Sequence, residues 1–214
     1  MAPPRMVLFD MGNVLLKFSH EQACRQMAEV AGVEPAWVRK LVFESDLQIR
    51  FETGTLDRRG FYDAFCAALA AERGAATPAP DFDRLERAGS AIFRLNGPIL
   101  PLLAQLRLAR IRLGVLSNTC ASHWNYVTSG RYVFLPRYFD TLALSYELGA
   151  MKPAAEIYER TAALARLEPR EIFFTDDREE NVLGAREAGM QAELFEEVDH
   201  LAAQLRAAGL RFNY

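Results

Sequence analysis

Cysteine is scarce. Cys24, Cys66 and Cys120 are the only three in 214 residues, they are widely spaced, and no C-x-x-C pair occurs. An odd, scattered set frames no disulfide scaffold and fits a reducing compartment. Long apolar runs are missing too: nothing approaches the roughly 20 residues of a membrane span. Met1-Ala2-Pro3-Pro4-Arg5 lacks the apolar stretch of a signal peptide, so a cytoplasmic protein with no membrane partner is expected. A net charge of −3 gives no surplus of cations for a phosphate backbone, so nucleic acid is not an expected partner. Internal repeats and low-complexity tracts are absent as well. What remains is ordinary globular composition, half apolar and a quarter charged. A chain of this length buries roughly 70% of its unfolded surface and needs no covalent staple.

Hydrophobic patterning divides the chain. Met6-Val7-Leu8-Phe9 is a short apolar run stopped by Asp10, the pattern of a strand buried on both faces of a parallel sheet. Residues 112–116 before Ser117-Asn118, 141–144 before Ser145, and 172–175 before Asp176-Asp177 repeat it, with 191–195 a weaker candidate. Amphipathic stretches at 99–109, 154–165 and 179–188 lie between them. The alternation predicts βαβ units, hence an α/β fold: a Rossmann-like parallel sheet between two helical layers. Residues 18–93 break the pattern. Helical periodicity near 21–31, 35–49, 56–72 and 82–93 fills that stretch without a strand, punctuated by Gly54 and an Ala- and Pro-rich loop from Gly74 to Pro80. The expected organisation is a core of residues 1–17 and 94–214 carrying an all-helical insertion at 18–93, with Gly97-Pro98 as the turn back into the core.

Polar groups close the predicted strands. Asp10 ends the first, Ser117-Asn118-Thr119 the second, and Asp176-Asp177 the fourth, while Lys152-Pro153 opens the helix after the third. In open α/β sheets such ends converge on the ligand crevice. Carboxylates from separate strands can hold Mg²⁺, which prefers oxygen and keeps some positions for water and substrate. Hydroxyl, backbone N–H and lysine donors can hold the oxygens of a phosphoryl group. Asp10 would then be a nucleophile forming an acyl-phosphate, with the metal and the ammonium offsetting its repulsion from the phosphate.

In order and spacing these clusters resemble the haloacid dehalogenase superfamily, whose members are mostly Mg²⁺-dependent phosphatases. Phe9-Asp10-Met11-Gly12-Asn13-Val14 resembles its first motif, Leu116-Ser117-Asn118-Thr119 its second, Lys152-Pro153 its third and Phe174-Thr175-Asp176-Asp177 its fourth. The likeness covers nearly the whole chain, and the helical insertion, with Phe51-Glu52-Thr53-Gly54, resembles the family's type 1 cap. Within the family the wording is most similar to bacterial sugar-1-phosphate phosphatases acting on α-D-glucose 1-phosphate, and it is similar also to the phosphatase half of soluble epoxide hydrolases. The resemblance implies Mg²⁺ as cofactor and a small phosphorylated substrate. Carried over by position, Asp10 is nucleophile and metal ligand, with the Gly12 carbonyl and Asp177 as further ligands and Asp176 a ligand through water or an acceptor behind them. Ser117 and the Asn118 amide would bind the phosphoryl group, and Lys152 would bridge it to Asp10.

One position departs from the pattern. Most phosphatases of the family carry a second Asp two residues after the nucleophile, to protonate the leaving oxygen and activate water; here it is Gly12. A missing general acid typically costs about 10²–10⁴ in rate. His20, Glu21 and Glu52 are candidates to replace it. Two other readings remain open at this level: a 2-haloacid dehalogenase, in which Asp10 attacks carbon without a metal, and a phosphate-ester-binding module that has lost turnover. Singly, each residue also has an ordinary explanation. Asp10 could close a turn, Asp176-Asp177 could cap a helix, and Pro153 could sit at a first helical position. His123 and His200 read as packing or surface residues, and Cys120 as a bystander.

Overall fold

The computed structural model describes residues 2–214. Its centre is a parallel five-stranded sheet in the order β5-β4-β1-β6-β7. The strands are β1 (Met6–Phe9), β4 (Arg112–Ser117), β5 (Thr141–Leu144), β6 (Ile172–Asp176) and β7 (Gln191–Leu194). Every expected strand forms, and every neighbouring pair is parallel. The period-two alternation of side chains sorts β1 onto two faces. Val7 and Phe9 pack with Leu113, Val115 and Phe173 against α6 (Ile99–Leu108) and α12 (Val198–Ala207). Met6 and Leu8 pack with Leu116 and Phe174 against α10 (Ala155–Ala165) and α11 (Glu179–Glu187). Both faces are therefore covered, and the α/β, Rossmann-like expectation holds. Shorter helices, α7 (Ala121–Thr128), α8 (Leu135–Tyr138) and α9 (Ser145–Leu148), complete the connections around β5.

The segment between β1 and α6 is helical, with its own buried cluster built from Cys24, Met27, Val38, Phe65, Leu69 and Leu85 among others. It contains α1 (His20–Ala31), α2 (Pro35–Val38), α3 (Leu47–Glu52), α4 (Arg58–Arg73) and α5 (Phe82–Ser90). The single helix expected over residues 35–49 is instead broken: a π-helical turn at Arg39–Phe43 follows α2, and the chain is non-helical before α3. Ser45 accounts for the break. Its hydroxyl donates to the Leu41 carbonyl (2.6 Å) and accepts from the Leu47 N–H (3.1 Å), competing with backbone pairing as serine does. The other helices start on side-chain caps, Ser19 for α1, Asp57 for α4 and Asp81 for α5.

A short ribbon unforeseen in the sequence joins the two crossings between sheet and helices. β2 (Leu16–Lys17) pairs antiparallel with β3 (Arg94–Leu95). Two-residue strands carry too little periodicity to be read. Among the described residues no helix is long and apolar enough to cross a membrane.

Candidate active site

β1 lies between β4 and β6, and Phe9 pairs with both Val115 and Thr175. That register delivers Asp10, Ser117 and Asp176 to one edge of the sheet. The Asp10 N–H donates to the Thr175 carbonyl (2.9 Å), continuing the ladder for one residue before the chain turns away. Asn13 adopts a left-handed conformation (φ 55°) in that turn, which asparagine tolerates better than other non-glycine residues.

Lys152 ties the edge together. Its buried ammonium donates to Asp10 Oδ1 (2.6 Å), Asp176 Oδ2 (2.6 Å) and the Leu116 carbonyl (3.0 Å), so all three of its protons are placed. Burial opposes its charge, but Asp10 and Asp176 more than compensate and hold its pKa above the ordinary lysine value. Asp10 responds in the opposite sense to a lone ion pair. Burial pushes its carboxyl up to about 7, and the neighbouring Asp176 adds to this against the pull of Lys152. The site is short of positive charge.

Asp176 is fully engaged by the protein, since Oδ1 accepts from the Arg178 N–H (2.9 Å) and the Asn181 side chain (2.9 Å) while Oδ2 accepts from Lys152. Asp177 is half-buried and receives one bond, from Asn13 Nδ2 (2.8 Å). Ligand oxygens of Asp10, Asp176 and Asp177 lie within 4.8 Å of one another. Three carboxylates against one ammonium leave a deficit that a divalent cation matches, and an all-oxygen set suits Mg²⁺. The residues fit the ion. The Gly12 carbonyl already accepts from the Val14 N–H (2.7 Å), which leaves one of its two lone pairs.

Ser117 is buried at the end of β4, and its hydroxyl makes only a long contact with the Asn118 carbonyl (3.4 Å). The Asn118 side chain clamps the Lys152 backbone, donating to its carbonyl and accepting from its N–H, both at 2.9 Å. That clamp withdraws both backbone groups from helical pairing. α10 accordingly begins at Ala155 rather than at Lys152-Pro153, a correction to the expected helix start. Thr119 is held by Ser145 through two 2.9 Å bonds to its backbone, while its buried Oγ1 has no partner among the described residues. Asp10, Ser117, Asn118, Thr119, Lys152 and Asp177 line a cavity of about 300 Å³, at the lower end of the size range of small-molecule sites.

Residues 4–189 match the family model of the haloacid dehalogenase-like hydrolases. The chain belongs to that family. Structural relatives agree in fold. A HAD family enzyme from Bacteroides thetaiotaomicron, solved as a complex with magnesium and inorganic phosphate, superposes with a TM-score of 0.78 at 24% identity, over 92% of this chain and 98% of that one. A predicted HAD-like hydrolase from Porphyromonas gingivalis gives 0.77 at 22% identity, over 96% and 99%. L-2-haloacid dehalogenase from Xanthobacter autotrophicus, with chloropropionic acid covalently bound, is more distant at 0.60 and 18%, over 95% and 83%.

In this hydrolase the helical segment supplies the opposite wall of the cavity: Phe18, His20, Gln48, Ile49 and Glu52, together with His123 from α7. Gly54 seats that wall. It has φ +72°, and a β-carbon there would lie 2.2 Å from the Tyr146 carbonyl of α9, so only glycine allows the turn after α3 to rest on the core. Glu52 is buried two residues earlier, accepts from Gln48 Nε2 (2.8 Å), and has its pKa raised by that burial. His123 packs edge-on to Phe93, and burial lowers its pKa to about 4, so its imidazole is neutral at neutral pH. It faces the cavity as well as packing, which the sequence did not suggest. Asn13, Thr119 and Asn181 also escaped selection as site residues. The first two stood inside quoted motifs, and only their partners reveal what they do.

Proposed function

We propose that the protein is a Mg²⁺-dependent phosphatase of small phosphate monoesters. The observation that carries this is the convergence of Asp10, Asp176 and Asp177 within 4.8 Å of one another, with the single Lys152 ammonium bonded to the first two, a charge deficit that a divalent cation matches. A dehalogenase attacking carbon has no use for such a site. Asp10, Asp177 and the Gly12 carbonyl would hold the ion, with Asp176 as the acceptor behind them. The ion supplies charge neutralisation at the phosphoryl oxygens.

Asp10 Oδ2, which accepts nothing from the described residues, is the nucleophilic atom. It attacks phosphorus, and the bond to the alcohol oxygen breaks. Ser117 and the Asn118 N–H orient the phosphoryl oxygens. Lys152 fixes the Asp10 carboxylate through Oδ1 and counters charge at the phosphoryl group. Gly12 offers no acid, so Glu52 takes that role: it faces the same cavity, and burial raises its pKa and so favours the acid form. It gives its proton to the departing alkoxide, and its carboxylate then takes one from the water that opens the acyl-phosphate. Residues 18–93 act as a cap that covers the substrate and excludes bulk water. The motif wording makes sugar phosphates, glucose 1-phosphate among them, the first esters to assay. The free cysteines fit a cytoplasmic location.

Hydrolysis of p-nitrophenyl phosphate with Mg²⁺ and with EDTA tests this reading, with Asp10→Asn as control. Metal-dependent turnover lost in Asp10→Asn is the expected result. Absence of turnover under every condition, or halide release from 2-chloropropionate in EDTA, would sink it.

A further inference from the structure

The cavity over Asp10 has two permanent cations in its wall, Lys152 and Arg178, and only the first is fully committed. Lys152 places its three protons on Asp10, Asp176 and the Leu116 carbonyl. Arg178 follows Asp177 directly, and its backbone is fixed there because its N–H donates to Asp176 Oδ1 (2.9 Å). Its side-chain partner is Glu180, in the first turn of α11. Both side chains are open to solvent, at 65% and 49% exposure. An exposed pair of this kind is weak and yields to a better-placed anion. One carboxylate also takes at most two of the five guanidinium N–H groups.

The Arg178 charge acts across the cavity on the helical wall. Burial lowers the His20 pKa, and Arg39 and Arg178 lower it further. Burial raises that of Glu52, and Arg178 is among the groups that pull it back. His20 is itself held by aromatic neighbours, stacked on Phe43 at 4.4 Å and tilted against Phe18 at 5.0 Å. With the phosphoryl group at Asp10, the leaving group extends toward the wall of His20, Gln48 and Glu52, and so past Arg178.

We propose that Arg178 binds a carboxylate on the leaving group, so that the preferred esters are phosphorylated hydroxy acids rather than neutral sugar phosphates. The proposal rests on the phosphatase reading and narrows its substrate class. The planar guanidinium fork matches a carboxylate through two parallel N–H···O bonds. One guanidinium balances one negative charge, whereas a second phosphate would bring about −1.5 to −2 to a site that already holds three carboxylates. A cavity of about 300 Å³ also suits a short hydroxy acid.

The test uses a matched pair. 3-Phosphoglycerate and glycerol 3-phosphate share a three-carbon skeleton and a primary ester, and differ in a carboxylate against a hydroxymethyl group. At low salt kcat/KM is expected to favour 3-phosphoglycerate at least about 10-fold, the lower range for a hydrogen-bonded charge. Arg178→Gln is expected to bring that ratio toward one, chiefly through KM, since the contact is made alike in ground and transition states. Glu180→Gln removes the competing carboxylate and is expected to raise the ratio. p-Nitrophenyl phosphate, which has no carboxylate, reports phosphoryl transfer by itself. Its turnover together with a ratio near one in the parent protein overturns this proposal and leaves the phosphatase reading standing. A carboxylate preference that survives Arg178→Gln overturns the assignment to Arg178. Should that variant not fold, Glu180→Gln decides, and an unchanged or lower ratio there overturns the assignment. No turnover of any ester overturns both readings.

Discussion

The Phe18 Cε1 atom lies 2.8 Å from where a β-carbon on Gly12 would stand. The ring, at the start of the helical insertion, fills the place from which an aspartate at position 12 would act.

Restoring the aspartate alone is therefore expected to fail. Gly12→Asp overpacks against Phe18 and should cost about 1–3 kcal/mol in urea denaturation, with no gain in turnover of alkyl phosphates. Adding Phe18→Ala should recover part of that loss, giving a coupling energy between the two sites of about 0.5–3 kcal/mol. A stable, faster Gly12→Asp single variant would refute the steric account.

Glu52→Gln keeps the shape and the Gln48 bond but cannot supply a proton. Turnover of an alkyl phosphate such as benzyl phosphate should fall by about 10²–10⁴, whereas p-nitrophenyl phosphate, whose leaving group hardly needs protonation, should change little. An equal loss on both esters would assign Glu52 a structural role only.

The same substitution has a pH signature in stability. Burial raises the Glu52 pKa in the folded state, so above its ordinary value the unfolded chain ionises while the folded one resists. Its effect is to lower stability as pH rises from the ordinary carboxylate value toward the raised one, by about 1.4 kcal/mol for each pKa unit of difference. Glu52→Gln removes that term, and its melting temperature relative to the parent should rise between pH 4 and pH 7.5. A difference that is flat with pH contradicts the raised value.

Lys152→Met leaves Asp10 and Asp176 buried without their shared cation. A loss of about 3–5 kcal/mol is expected at neutral pH. Asp10, already raised to about 7 beside the lysine, rises further without it. Its folded pKa then lies well above the unfolded one, so the loss should shrink on acidification and grow as pH increases. Mg²⁺ should restore part of the stability at pH 8. Thermal melts at pH 5 and pH 8, with and without the ion, check both statements, and identical losses at the two pH values would count against them.

Much of this was legible in the chain. The apolar runs at β1, β4, β5 and β6 are short, continuous and stopped by polar residues, because a strand covered on both faces must be apolar throughout while its end meets solvent or ligand. That rule places Asp10, Ser117 and Asp176 at strand ends from the sequence alone. The interruption between residues 35 and 49 was not legible, since Ser45 breaks the helix through two hydrogen bonds that periodicity does not record.

The amino-acid sequence by itself determined the core: an alternating α/β pattern with carboxylates, a hydroxyl and an ammonium at its strand ends, since these follow from local periodicity. Tertiary structure alone decided how those groups share their protons, because Lys152 meets Asp10 and Asp176 across 142 and 24 residues. It alone decided that Phe18 occupies the space beside Gly12 and that Glu52, brought over the strand ends by the close contact of Gly54 with Tyr146, faces Asp10 across a cavity. The physical reason is common to all three. Desolvation, excluded volume and charge balance belong to neighbours in space, and the order of residues along the chain does not fix which neighbours those are.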